Sequence, residues 1–232
     1  MATGEDPIRS PDLRCALVTG GAGRVGEAIA RRLERDGWSV LAAGRADGDV
    51  SRPDEARALV ERAVGELGRL DLLVNAAGEG FAPKAVEELT EDDWEAAFGA
   101  TAKGSFFVTQ AAAPHLRASR GCVVMIEDVA GYQPWPSFVA HSAAKAAQAM
   151  LTRVLARSLA PEVRVCGVAP GPVAIERGQE ERRAAETLLR RVGSPEDVAE
   201  AVAFLAEADF VTGTTLFVDG GRSLQTSFPP GP

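Results

Sequence analysis

The chain has 232 residues, of which 46% are hydrophobic and 25% charged, with a formal net charge of −8. That length and balance suit one sizeable α/β core and fall short of two ordinary domains. The acidic balance argues against nucleic acid or an anionic membrane as a partner; without a membrane-length apolar run or a signal-peptide core, the expectation is a cytoplasmic protein.

Residues 1–12 are polar, contain Pro7 and Pro11, and read as a flexible arm ahead of a single domain over 13–224, with a short tail over 225–232. The stretch CALVTGGAGRVGEAIARRLER over 15–35 then reads as a buried strand (15–18), a glycine-rich turn (19–26) and a helix with apolar positions at Val25, Ala28, Ile29 and Leu33. Glycines at a strand-to-helix turn let backbone N–H groups approach a pyrophosphate, and the helix N-terminus adds partial positive charge. Gly37 stops the helix and a second strand follows over 38–43. Arg45 comes next, where an acidic residue would suit ribose hydroxyls and an arginine suits a 2′-phosphate, so the cofactor expectation is NADP(H).

Only residues 46–50 separate Arg45 from a helix that starts near Ser51 and Pro53. A parallel crossover needs a dozen or more residues, so a helix and another strand cannot both fit, and a truncated sheet edge is expected. The helix over 53–67 leads into a strand over 70–75 and the turn NAAG (75–78). Thr90 and Asp93 form a capping-box-like start to a long helix ending near His115. A strand (121–126), a helix (137–159) and a strand (163–168) follow, then a charged segment (176–191) that suits either a lid or a solvated helix. Ser194 and Pro195 open the last helix, and a strand over 215–218 precedes Asp219. Alternating strands and helices imply a doubly wound, Rossmann-type parallel sheet. Cys15, Cys122 and Cys166 lie in strand-like stretches, are odd in number and lack metal-ligand spacing; they read as reduced core residues, with no metal expected.

Taken together, TGGAGRVG at 19–26, NAAG at 75–78, Trp94, HSAAK ending at Lys145, VAPGPV at 168–173 and VTGTTLFVDGG at 211–221 resemble the short-chain dehydrogenase/reductase family over essentially all of 13–224. The resemblance implies a single-domain fold assembled as a homotetramer or homodimer through its long helices. It implies that Gly20, Arg24 and Val25 lie against the pyrophosphate, and Asp49 and Val50 near the adenine. Asn75, Ala76 and Ala77 would lie under the ribose, and Pro170, Gly171 and Val173 beside the nicotinamide.

The family's usual catalytic set is Asn, Ser, Tyr and Lys, and here only Lys145 matches it. The tyrosine position holds His141, the serine position Asp128 and the asparagine position Thr101. Asp128 together with Arg24 resembles the pteridine reductases within the family. That implies an oxidoreductase moving hydride between nicotinamide and a pterin-like or carbonyl small molecule. Phe81 and Trp135 would line the substrate site with Arg24, Asp128 and His141. An imidazole with an ordinary pKa of about 6.5 can give or take a proton near neutrality, so His141 can replace the phenol. Two alternatives stay open: a redox-silent nucleotide-binding or scaffold protein, and a non-redox enzyme using Asp128 and His141 as an acid–base pair. Tyr132, the chain's single tyrosine, sits too close to Asp128 in sequence for the usual slot, but its loop could reach the pocket.

Overall fold

Alternating side chains in the strands set the layout. In β1 (Cys15–Thr19), Ala16 and Val18 pack to one side of the sheet and Leu17 to the other. The computed structural model describes residues 13–79, 81–173, 175 and 177–225; the expected arm over 1–12 and the tail over 226–232 lie outside the described residues. On the Ala16 side, Ile29 and Leu33 of α1 (Arg24–Arg35) meet Val198 and Val202 of α7 (Pro195–Glu207). On the Leu17 side, the cover comes from α2 (Pro53–Leu67), α4 (Gly104–Ser119) and α5 (Val139–Leu159). Both faces are therefore dry, which is why β3 (Leu72–Asn75), β4 (Cys122–Ile126) and β5 (Arg164–Pro170) are almost uninterrupted apolar runs.

The sheet has six parallel strands in the order β2-β1-β3-β4-β5-β6, with β2 (Ser39–Ala43) at one edge and β6 (Thr215–Val218) at the other. The truncated edge is present: a single 3₁₀ turn, Arg45–Asp47, carries the chain from β2 toward α2, and no strand pairs outside β2 among the described residues. The chain winds to opposite sides of β1, which places the switch point, where such sheets bind ligands, at its carboxyl end.

The long helix expected over 90–115 is divided. Thr90 and Asp93 do form the capping box of α3 (Glu91–Phe98), but a π turn at Gly99–Lys103 separates α3 from α4, which runs on past His115 and through Pro114 to Ser119. The wider π turn carries Thr101 into the interior, where it is fully buried. The charged segment holds one short helix, α6 (Glu180–Ala185). Among the described residues, no helix is long and apolar enough to cross a membrane.

Candidate active site

The glycine turn after β1 is fixed by close approaches. Gly20 has φ +68°, and a Cβ there would stand 2.6 Å from the Ala76 carbonyl oxygen; a Cβ on Gly26 would stand 2.3 Å from the Gly20 carbonyl oxygen. A larger residue at either position would push the turn off the sheet. Gly23 caps α1 without any side-chain hydrogen bond, which leaves the first-turn N–H groups suited to an anion such as a pyrophosphate.

Two cavities meet above the strand ends. A groove of about 350 Å³ is lined by Gly20, Arg45, Asp49, Val50, Ala76 and Ala77. It shares Ala76, Gly78 and Glu79 with a cleft of about 700 Å³ whose walls include Arg24, Val25, Phe81, Asp128, Trp135 and His141, together with Lys145, Pro170, Gly171 and Val173. The lining of the groove is mostly backbone and small side chains, which leaves room for an elongated nucleotide. The residues expected at a dinucleotide and its substrate are thus brought together, with one exception. Asn75 does not line either cavity: its amide nitrogen donates to Thr109 Oγ1 at 3.0 Å, inside the core. The alternation of β3 turns this last side chain inward, so the side chain braces the turn from beneath.

Asp128 and His141 lie at the centre of the cleft. Asp128 opens a 3₁₀ turn and its Oδ1 accepts from Ala130 N–H at 2.8 Å, which leaves Oδ2 3.2 Å from His141 Nε2. His141 is on the first turn of α5, 6% exposed, and its Nδ1 has no partner among the described residues. One turn on, Lys145 Nζ donates to the Ile126 carbonyl at 2.7 Å and to Gln148 Oε1 at 3.0 Å, and Gln148 in turn donates to Ser105 Oγ at 2.7 Å. An ammonium has three donors, so one remains to point at a bound hydroxyl. Burial pushes the Lys145 ammonium below its usual value, with the Asp128 and Glu127 carboxylates acting against that fall. A Cβ placed on Gly78 would lie 3.8 Å from Thr101 Oγ1 and 3.9 Å from Lys145 Nζ, so both polar atoms face the bend after β3. Thr101 Oγ1 is buried without a partner among the described residues.

Tyr132 does not reach the cleft. Its hydroxyl donates to Glu127 Oε2 at 2.5 Å and lies 2.9 Å from Thr215 Oγ1, on the side of the loop toward β6. Burial, helped by the bond to Glu127, pushes this phenol well above its usual value. Glu127 itself is 2% exposed and also accepts from Thr152 Oγ1 at 2.6 Å. The sequence gives no warning of this buried carboxylate, because its hydroxyl partners lie in distant segments. Gln148 beneath Lys145, and Phe138 and Arg222 in the cleft wall, carry no sequence motif either, whereas Arg182 and Arg183 come from the charged segment over 176–191, which does reach the cleft.

The family model described as enoyl-(acyl carrier protein) reductase matches residues 43–223. The chain is 36% identical to the 4-formylbenzenesulfonate dehydrogenase TsaC1/TsaC2 of Comamonas testosteroni, covering 90% of this chain and 97% of that one. It is 30% identical to the human dehydrogenase/reductase SDR family member 4, covering 94% and 90%. Among solved structures it resembles a 3-ketoacyl-(acyl-carrier-protein) reductase from Brucella melitensis complexed with NADH, with a TM-score of 0.86, 27% identity, and coverage of 92% and 100%. With six parallel strands, a glycine turn at their switch point and relatives of this kind along nearly its whole length, the chain belongs to the short-chain dehydrogenase/reductase family of oxidoreductases.

Proposed function

We propose that this protein is an NADP(H)-dependent reductase or dehydrogenase acting on a carbonyl or pterin-like small molecule, with Asp128 and His141 handling the proton. The observation that carries this reading is the 3.2 Å approach of His141 Nε2 to Asp128 Oδ2, beside Lys145, in a cleft continuous with the groove over the glycine turn. Nicotinamide, when bound, supplies or accepts the hydride. Oxygen on a reduced carbonyl becomes anionic in the transition state, so a donor must stand beside it. His141 supplies that proton; Asp128 fixes the orientation of the imidazole. Lys145 uses its remaining donor on a cofactor hydroxyl, and Phe81 offers a ring face to a flat substrate. Arg45 at the end of β2 favours the 2′-phosphate of NADP(H).

The Brucella relative complexed with NADH and the Comamonas relative named for an aromatic aldehyde support the nicotinamide and carbonyl parts of this reading. Exposed apolar side chains on α5 (Met150, Val154), on α7 (Phe204), just after it (Phe210) and on β6 (Phe217) suit association with further copies of the chain, as a homodimer or homotetramer. The test is loss of reduced-nicotinamide absorbance with aryl aldehydes, simple ketones and dihydropterins. Tight NADPH binding without turnover of any of them would sink the catalytic part.

One observation favours a second, redox-silent reading: the single phenol is committed to Glu127, so proton supply rests on His141 alone. Carbonyl reduction that appears only in His141→Tyr would establish that reading.

A further inference from the structure

Three arginines in the wall of the cleft share one carboxylate. Glu186 Oε2 lies 3.1 Å from Arg183 Nη1 and 3.1 Å from Arg222 Nη2, while Glu186 Oε1 lies 3.9 Å from Arg182 Nη1. Arg182 and Arg183 thus share their one carboxylate with a third guanidinium, which leaves each of them only partly paired. Asp219 and Asp128, which accept from Gly221 and Ser223 N–H and from Ala130 N–H, also offset the charge of Arg222, so the anchors for an anion are Arg182 and Arg183, which line the cleft where their partner Glu186 does not. Arg182 keeps 54% of its side chain exposed at the cleft mouth, with Nη2 donating to Gln179 Oε1 at 3.1 Å.

Aromatic rings connect this knot to His141. Phe81 stacks on Phe138 at 4.7 Å with planes 20° apart and meets the His141 ring edge-on at 4.9 Å. Trp135 stands 5.8 Å from Phe138, and the Arg222 guanidinium lies 4.2 Å over the Trp135 ring. Phe81 is 56% exposed, an aromatic surface left open inside a cleft. A neutral aliphatic ketone would use neither the ring surface nor the guanidiniums in the cleft wall.

We propose that the substrate is a flat conjugated carbonyl compound bearing an anionic oxyacid group (carboxylate, sulfonate or phosphate), its ring on Phe81 and its anion against Arg182 and Arg183. This rests on the reading of the cleft as a substrate site. Guanidinium forks match the paired oxygens of such groups and keep their charge at any working pH, so the site would select for the acid as well as the ring.

The test uses the full chain with saturating NADP⁺ and two probes of similar shape, 4-formylbenzoate and its methyl ester. Binding is read by calorimetry, and turnover is measured separately with NADPH. The acid should bind roughly tenfold tighter than the ester at low salt, and the gap should narrow as salt screens the arginines. The double variant Arg182→Ala/Arg183→Ala should lose the gap. Equal binding of the two probes, or an acid preference untouched by both salt and the double variant, overturns the proposal. Should the double variant fail to fold, the salt series on the unaltered chain decides alone. Acid-selective binding without turnover supports the anion site while counting against hydride transfer; turnover of both probes without preference does the reverse.

Discussion

Arg45 and Glu79 form an ion pair across the mouth of the nucleotide groove, Arg45 Nη1 standing 3.0 Å from Oε1 and 2.9 Å from Oε2, with Nη2 3.2 Å from Asp49 Oδ2. Arg45 follows β2 and Glu79 follows β3, and β1 lies between them, so the pair bridges the switch point. Glu79 first, and Asp49 after it, hold the guanidinium above its usual value. A 2′-phosphate reaching Arg45 must therefore compete with Glu79. Glu79→Gln should tighten NADPH relative to NADH by roughly three- to tenfold at low salt, and Arg45→Ala should move the ratio the other way. Fluorescence titration of the two reduced cofactors reads it. An unchanged ratio in Glu79→Gln would mean that Arg45 does not meet the phosphate.

The Asp128–His141 contact makes a separate prediction. General acid–base catalysis by a positioned side chain is worth roughly 10²–10⁴-fold, so Asp128→Asn should cut kcat by about 10²-fold with KM changed far less. His141→Phe keeps a ring for Phe81 to meet and removes both nitrogens; its loss in kcat should equal or exceed that of Asp128→Asn. Steady-state kinetics across neutral pH checks both. Equal kcat in His141→Phe and the unaltered chain would place the proton elsewhere.

The fold could be read from the sequence because its signals are local. The 15–35 stretch carries strand, turn and helix within one segment, and the short interval between Arg45 and Pro53 forces the sheet edge at β2. The positions of Asp128, His141 and Lys145 follow from spacing, since α5 holds the last two one turn apart. What spacing does not convey is side-chain direction and long-range pairing. Asn75 turns inward on the final pleat of β3, Glu79 finds Arg45 across 34 residues, and Glu127 meets Thr215 across 88. The π turn at Gly99–Lys103 carries no composition signal, because its glycine and alanines are as compatible with an ordinary helix.

Tyr132 offers a spectroscopic prediction because the chain has no other tyrosine. Its phenol is raised above the ordinary value of about 10, by burial first and then by the bond to Glu127. A folded value above the unfolded one gives stability that is fully present below about pH 10 and is lost as pH rises beyond it. Ultraviolet titration should show no tyrosinate at pH values where free tyrosine is half ionised, and an abrupt appearance when the chain unfolds. Tyr132→Phe removes a donor from a buried carboxylate and should cost about 1.5–3 kcal/mol in urea unfolding. An ordinary titration curve in the folded protein would contradict the Glu127 bond.

Lys145 should show the opposite pH dependence. Burial lowers its folded pKa, against the pull of Asp128 and Glu127, so the unfolded chain binds the extra proton between that lowered value and the ordinary one near 10.4. Stability then rises with pH through that window, because protons favour the unfolded side. Lys145→Met should flatten the slope in urea-unfolding measurements taken at stepped pH, and should also weaken cofactor binding. Gln148→Leu is the companion variant: it removes the acceptor at 3.0 Å and strands Ser105 Oγ, which Gln148 reaches at 2.7 Å. A buried donor left without its partner costs about 1–3 kcal/mol, so Gln148→Leu should destabilise the chain while leaving the sign of the pH slope intact. If Lys145→Met and the unaltered chain share one slope, the ammonium is not the group that sets it.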